Sequence, residues 1–243
     1  MALHFVVDAA TGAEIGGNVV LTGSEAHHAA AVRRVRAGEQ VTLGDGAGAW
    51  LTGRCVRVEP TRVEVQVVDR EVVPAPSPRI TLVQALAKGD RDELAVQAAT
   101  ELGVDEIVPW QASRSVSRWA GPKQAKGRGR WQMIAREAAK QAHRAWIPAV
   151  AEMVSTKQLA ARAAASRLVV LEPTATRRLS SLELGGDRDV VLVVGPEGGV
   201  APDELALFDE AGATIAALGD TVLRTSTAGP AALAVVSTLL GRW

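Results

Sequence analysis

The sequence predicts an α/β protein in two parts: a small N-terminal β-barrel and a larger C-terminal domain on a mostly parallel sheet. Three observations predict it. Before residue 72 the apolar residues alternate in short runs, the period of half-buried strands. The stretch EVVPAPSPRI (71–80) then sets three prolines within five residues, which disfavours helix and interior strand alike and reads as a stiff extended linker. Beyond it, apolar runs alternate with helical patterns, as in chains that cross over between parallel strands. The expected division is a barrel over 1–72, a linker over 73–79 and an α/β domain over 80–243.

In the first part HFVV, NVVLT, EQVTLGDGAGAWLTGRCVRVE and TRVEVQVVD read as antiparallel strands, with GDGAG as a turn. One helix interrupts them, SEAHHAAAVRRVRAG, for which Ser24 is a suitable N-cap. It ends on Arg33, Arg34 and Arg36, charges that suit the helix dipole and suit RNA equally. In the second part RITLVQAL is a strand. GDRDELAVQAATELG is a helix, with Asp90 and Glu93 spaced as a capping box and Gly103 placed to end it. VDEIVPW is the next strand and GRWQMIAREAAKQAHRA a long helix. SRLVVLEP and DVVLVVGPEGG are apolar enough for central strands. PDELALFDEAG is a helix with Pro202 in its first turn and Gly212 past its end. ATIAALG is the last strand and TSTAGPAALAVVSTLLGRW the last helix.

Composition narrows the function classes. Apolar residues make up 47%, enough for a full core. No apolar stretch approaches the roughly 18 residues of a membrane span, and the start lacks the pattern of a signal peptide. A soluble, cytoplasmic protein without a membrane partner is expected. The single cysteine, Cys55, excludes an internal disulfide and a cysteine-built metal site, and is expected to be buried. The four histidines show no metal spacing and read as structural or surface groups, so no metal is expected. Net charge is zero, yet residues 111–150 hold nine Lys/Arg against one acid, Glu137. That segment is either a docking face for a polyanion or a solvated helix face. Trp110, Trp119, Trp131 and Trp146 interleave it, as stacking platforms or as core.

Three strand ends carry loop chemistry: LEPTAT (171–176), GPEGG (195–199) and LGDTVLRTSTAG (218–229). In open parallel sheets ligands sit outside the carboxyl ends of strands, so these loops are expected to converge. There is neither a G-x-x-x-x-G-K-[ST] nor a G-x-G-x-x-G pattern. Glu197 would repel a phosphate by roughly 4 kcal/mol at about 4 Å and an effective dielectric of 20, with no cation in its own loop. A neutral or cationic ligand is easier to accommodate, and S-adenosylmethionine fits that description. Glu197 could equally turn away and cap the following helix.

GPEGG followed by LGDTVLRTSTAGPAAL resembles the C-terminal motifs of SPOUT methyltransferases, and most of all the RsmE family of 16S rRNA uridine-N3 methyltransferases. KGDRDELAVQAATELGVDEIVP and RWQMIAREAAKQAHRAWIP resemble that family's other two signatures, in the same order. The resemblance implies a PUA-like barrel, a SPOUT domain with a trefoil knot, a homodimer, S-adenosyl-L-methionine as cofactor and 16S rRNA in the small ribosomal subunit as substrate. It implies cofactor contacts at Leu171, Glu172 and Pro173, at Val194, Gly195, Pro196, Glu197 and Gly198, and at Leu218, Gly219, Leu223, Arg224, Thr225, Ser226 and Ala228. It implies Arg224, Gln141 and Arg144 as catalytic residues, with Arg224 either stabilising the uracil anion or bracing loop carbonyls. RNA contacts are expected at Arg33, Arg34, Arg36, Lys88, Arg91, Arg114, Arg118, Lys126, Arg128, Arg130 and Lys140.

Three positions depart from that family's pattern. Lys140 and Ser226 stand where it usually has glutamate, and Ala98 where a lysine is common. Each loses or reverses a charge. Two rival readings stay open: a non-catalytic RNA-binding factor with a vestigial pocket, and a ribose 2′-O-methyltransferase. The latter generally carries an asparagine in the last motif, and none lies within 218–243.

Overall fold

The computed structural model describes residues 2–243, which form two compact units. One runs up to Ala75 and includes Ala139–Ile147; the other is Pro76–Ala138 with Pro148–Trp243.

The first unit holds β1 (Leu3–Val6), β2 (Asn18–Thr22), α1 (Gly23–His27), β3 (Gln40–Gly44), β4 (Ala49–Glu59) and β5 (Arg62–Val72). They form one sheet in the order β1-β3-β4-β5-β2. The alternation seen in the sequence is realised in β5, where Val63, Val65 and Val67 are buried and join Phe5, Leu21, Leu43 and Leu51 in one core. Cys55 is buried there too, and burial pushes its thiol up to about 11. The pairs β3–β4, β4–β5 and β2–β5 are antiparallel, but β1 lies parallel to β3, from Leu3 against Val41 to Val6 against Gly44. The expectation of a wholly antiparallel sheet fails here. Residues 7–39 separate the two strands, and so long a connection imposes no hairpin.

The cap of α1 is also corrected. Thr22 is the N-cap, without a side-chain cap bond, and Ser24 lies inside the helix. β2 runs straight into the helix, so Ser24 arrives too late to cap it. After His27 the backbone widens into a π-helical turn, His28–Val32, and Arg34 follows with φ 54°.

The second unit holds β6 (Ile80–Ala85), α2 (Arg91–Glu101), β7 (Glu106–Trp110), the body of α3 (Pro122–Gln141), β8 (Ala149–Val150), α4 (Thr156–Ala160), β9 (Arg167–Leu171), β10 (Val190–Val194), α5 (Pro202–Glu210), β11 (Thr214–Ala216) and α6 (Thr225–Leu239). Its sheet runs β11-β9-β10-β6-β7-β8, and every pairing is parallel, as the strand–helix alternation predicts. β6 and β10 are buried at every residue, the mark of strands covered on both faces. Leu82, Ile107 and Leu192 join Val96, Trp131 and Leu233 on one face, while Val83, Val108 and Val193 join Leu159 and Phe208 on the other.

α2 does not start on the expected capping box. Asp90 is the N-cap but its side chain makes no cap bond. Instead Asp92 accepts from the Ala87 and Glu93 N–H groups, and Glu93 turns outward to Arg130 at 3.1 Å. Burial raises the Asp92 carboxyl pKa despite those bonds. Gly103 and Gly212 end α2 and α5 with φ of 93° and 84°, which their lack of a Cβ permits. Among the described residues no helix is long and apolar enough to cross a membrane.

Candidate active site

β9, β10 and β11 are neighbours in the sheet order, so the loops that follow them meet at one sheet end. They enclose a cavity of about 350 Å³. Its walls are Leu171, Glu172 and Pro173; Val194, Gly195, Pro196, Glu197, Gly199 and Val200; and Leu218, Gly219, Thr221, Val222, Leu223, Arg224, Thr225 and Ala228. Arg91 of α2 completes the lining, whereas Gly198 and Ser226 are outside it. Gly199, Thr221 and Val222 lie within the loops quoted from the sequence but were not among the expected cofactor contacts, and Val200 lies just past the GPEGG loop.

Backbone packing explains the glycine at 195. A Cβ there would lie 2.9 Å from Val200 Cγ2 and 3.2 Å from the Val200 nitrogen, so a side chain would force the turn open. The next turn is held from outside by Arg114, whose Nη1 donates to the Gly198 carbonyl at 2.9 Å. The Thr225 hydroxyl donates to the Gly195 carbonyl at 2.9 Å, tying the start of α6 to the same loop.

Glu197 does not cap α5. Its Oε1 accepts from the Lys88 N–H at 2.9 Å and from Arg91 Nη1 at 3.0 Å. The cap falls to Glu204, which accepts from the Ala201 and Ser113 N–H groups and the Thr156 hydroxyl. Burial disfavours ionised Glu197, but hydrogen bonds from its own and the Lys88 N–H and the charge of Arg91 outweigh it and hold its pKa below the usual range. The loop itself carries no cation, as the sequence reads, but α2 supplies one, Arg91, from outside it.

Arg224 is the N-cap of α6 and is exposed on the cavity wall. Among the described residues its guanidinium makes no hydrogen bond, so the bracing role is not realised and five donors remain available. Gln141 and Arg144 belong to the other compact unit, with Ala139–Ile147. There Lys140 is 8% exposed, with Nζ 2.6 Å from Glu25 Oε1, and its charge is matched inside the unit. The expectation that Lys140 meets RNA conflicts with that burial.

The remaining basic residues divide by their partners. Arg128 bonds the Val150 carbonyl and Glu152, Arg130 pairs with Glu93, Arg91 with Glu197 and Arg114 with the Gly198 carbonyl. Arg33, Arg34, Arg36, Lys88, Arg118, Lys123 and Lys126 are exposed, with side chains that have no acidic partner among the described residues. Trp110 and Trp131 are core, with Trp119 edge-on to Trp131 at 5.1 Å, and Trp146 Nε1 donates to the Val73 carbonyl. The stacking role therefore fails for Trp110 and Trp131, which no base could reach.

A parallel sheet with a loop cavity at its carboxyl end, preceded by a small β domain, defines a class. A model of the RNA methyltransferase domain matches residues 74–237, and one of the RNA methyltransferase PUA domain matches residues 21–68. The chain belongs to the ribosomal RNA small subunit methyltransferase E family. It is 45% identical over 250 residues to the Mycobacterium tuberculosis member, covering 100% of this chain and 94% of that one. It is 32% identical to the Bacillus subtilis member, with coverage of 89% and 88%. Among solved structures, the Neisseria gonorrhoeae member bound to S-adenosyl methionine matches with a TM-score of 0.88 at 30% identity, covering 99% and 98% of the chains.

Proposed function

We propose that this chain methylates N3 of a uridine in 16S rRNA, using S-adenosyl-L-methionine and acting on the small ribosomal subunit. The observation that carries the reading is the loop cavity with an uncommitted guanidinium, Arg224, on its wall. The residues present suit this cofactor. Leu171, Val194, Leu218 and Leu223 offer apolar walls, and Gly195 lets backbone approach closely. When bound, the cofactor supplies an electrophilic methyl group on a sulfonium.

The bound cofactor would supply the methyl group that replaces the uracil N3 proton, and that proton would pass to solvent water as Arg224 stabilises the anionic base. N3 lies on the pairing edge, so the base must be turned out of its stack. Arg224 hydrogen-bonds a uracil carbonyl oxygen and stabilises the anionic form of the base. Gln141 and Arg144 orient the base or an adjacent phosphate. Arg33, Arg34, Arg36, Lys88, Arg118 and Lys126 bind phosphates, and the barrel of residues 1–72 serves as an RNA-binding module. A homodimer, a cytoplasmic site of action and a trefoil knot closed by the last helix belong to the same proposal.

Thermal unfolding tests the pocket. S-adenosylmethionine at about 100 times its dissociation constant should stabilise the chain by roughly 2.7 kcal/mol, and ATP or NAD should not. Stabilisation by ATP alone would overturn the assignment.

A further inference from the structure

Gln84 stands near the end of β6, fully buried in a strand otherwise built of Ile, Thr, Leu, Val and Ala. Its Nε2 donates to Thr225 Oγ1 at 2.8 Å and to the Ala85 carbonyl at 3.1 Å. Thr225 Oγ1 passes its own proton to the Gly195 carbonyl at 2.9 Å. A hydroxyl has one proton to give, so the chain runs in one direction, from amide to hydroxyl to carbonyl. Turning the amide over would set its oxygen against the Ala85 carbonyl and draw the Thr225 proton away from Gly195. The oxygen Oε1 is buried and has no partner. An apolar side chain would avoid the cost of that orphan acceptor. The amide is therefore explained by what its donors hold.

They hold two parts of the cavity wall that are far apart in sequence. Gly195 follows β10, and Thr225 opens α6 immediately after Arg224. Gln84 itself does not line the cavity. We infer that Gln84 is a positioning residue of the cofactor pocket. Acting through the Thr225 hydroxyl, it sets the spacing between the 195–199 loop and the start of α6. The inference rests on the cavity being the S-adenosylmethionine site.

The test is calorimetric titration of S-adenosylmethionine into the full chain and into Gln84→Met, Thr225→Val, Thr225→Ser and the Gln84→Met/Thr225→Val double variant. Gln84→Met and Thr225→Val should each raise Kd on the order of tenfold, the effect of one lost neutral hydrogen bond. Thr225→Ser keeps the hydroxyl and should bind like the parent. The double variant should bind no more weakly than Thr225→Val alone, because one chain has been cut twice. A purely structural role would lower the melting temperature of the unliganded variants and leave Kd unchanged. Unchanged Kd in Gln84→Met, or losses that add in the double variant, would overturn the inference. If Gln84→Met does not fold, Thr225→Val against Thr225→Ser decides, and equal Kd for those two overturns it. A parent chain that does not bind the cofactor removes the pocket assignment and this inference together.

Discussion

Arg224 is an exposed guanidinium on a cavity wall, and Lys140 is a buried ammonium 2.6 Å from Glu25. Both are cations flagged by the sequence, and their surroundings separate them. Arg224→Ala should lower turnover on the order of 10²-fold or more with cofactor binding retained, as loss of a preorganised charge donor does. Ser226→Ala should cost little, since Ser226 lies outside the cavity lining and a neutral hydrogen bond is worth about 0.5–1.5 kcal/mol. Methyl transfer to small subunits from cells lacking the enzyme measures both. Lys140→Met should instead destabilise the fold by roughly 3–5 kcal/mol, read by urea unfolding, because it strands the Glu25 carboxylate in a buried place.

His4 adds a pH dependence. Its ring stacks on Trp50 at 4.4 Å and is buried, and burial, then the charges of His143 and Lys140, lower its pKa to about 4. The unfolded chain takes up this proton near 6.5, so stability is full above that value and is lost as pH falls towards 4. Between pH 7.5 and pH 5 the loss from His4 alone is about 2 kcal/mol, and a His4→Phe variant should show a flatter profile.

At the scale of elements, charge counting along 111–150 overstated the RNA face. Arg128 and Arg130 look as available as Arg118 or Lys126 in the sequence, but their acidic partners, Glu152 and Glu93, lie 24 and 37 residues away. Pairing at that separation leaves no local signal. Replacing Arg118, Lys123 and Lys126 with Ala should weaken RNA binding and flatten its salt dependence by roughly 0.7–0.9 per lost phosphate contact, while Arg128→Ala should leave the slope nearly unchanged. Filter binding across a salt series distinguishes them. Gly195→Ala should abolish cofactor binding, because its Cβ would meet Val200 at 2.9 Å. Strands such as Val190–Val194 were legible because burial on both faces writes a continuous apolar run. Caps were less so. Asp90 and Glu93 have the right spacing for a capping box, yet Arg130 draws Glu93 away and Asp92 bonds Ala87 instead.

For the whole molecule, the parallel sheet and the three converging loops were readable, since both follow from strand order and from where the glycines fall. Two features were not. The parallel seat of β1 against β3 depends on a pairing across residues 7–39, where no turn dictates direction. The membership of Ala139–Ile147 in the first unit rests on contacts such as Lys140 with Glu25 and the Ile147 N–H with the Gly46 carbonyl, over a hundred residues apart in sequence but local in space.

The most direct measurement is the N3-methyluridine content of 16S rRNA by nucleoside mass spectrometry. Cells lacking this protein should lose that nucleoside, regain it with the parent chain, and fail to regain it with Arg224→Ala. Unchanged N3-methyluridine in the deleted cells would contradict the account.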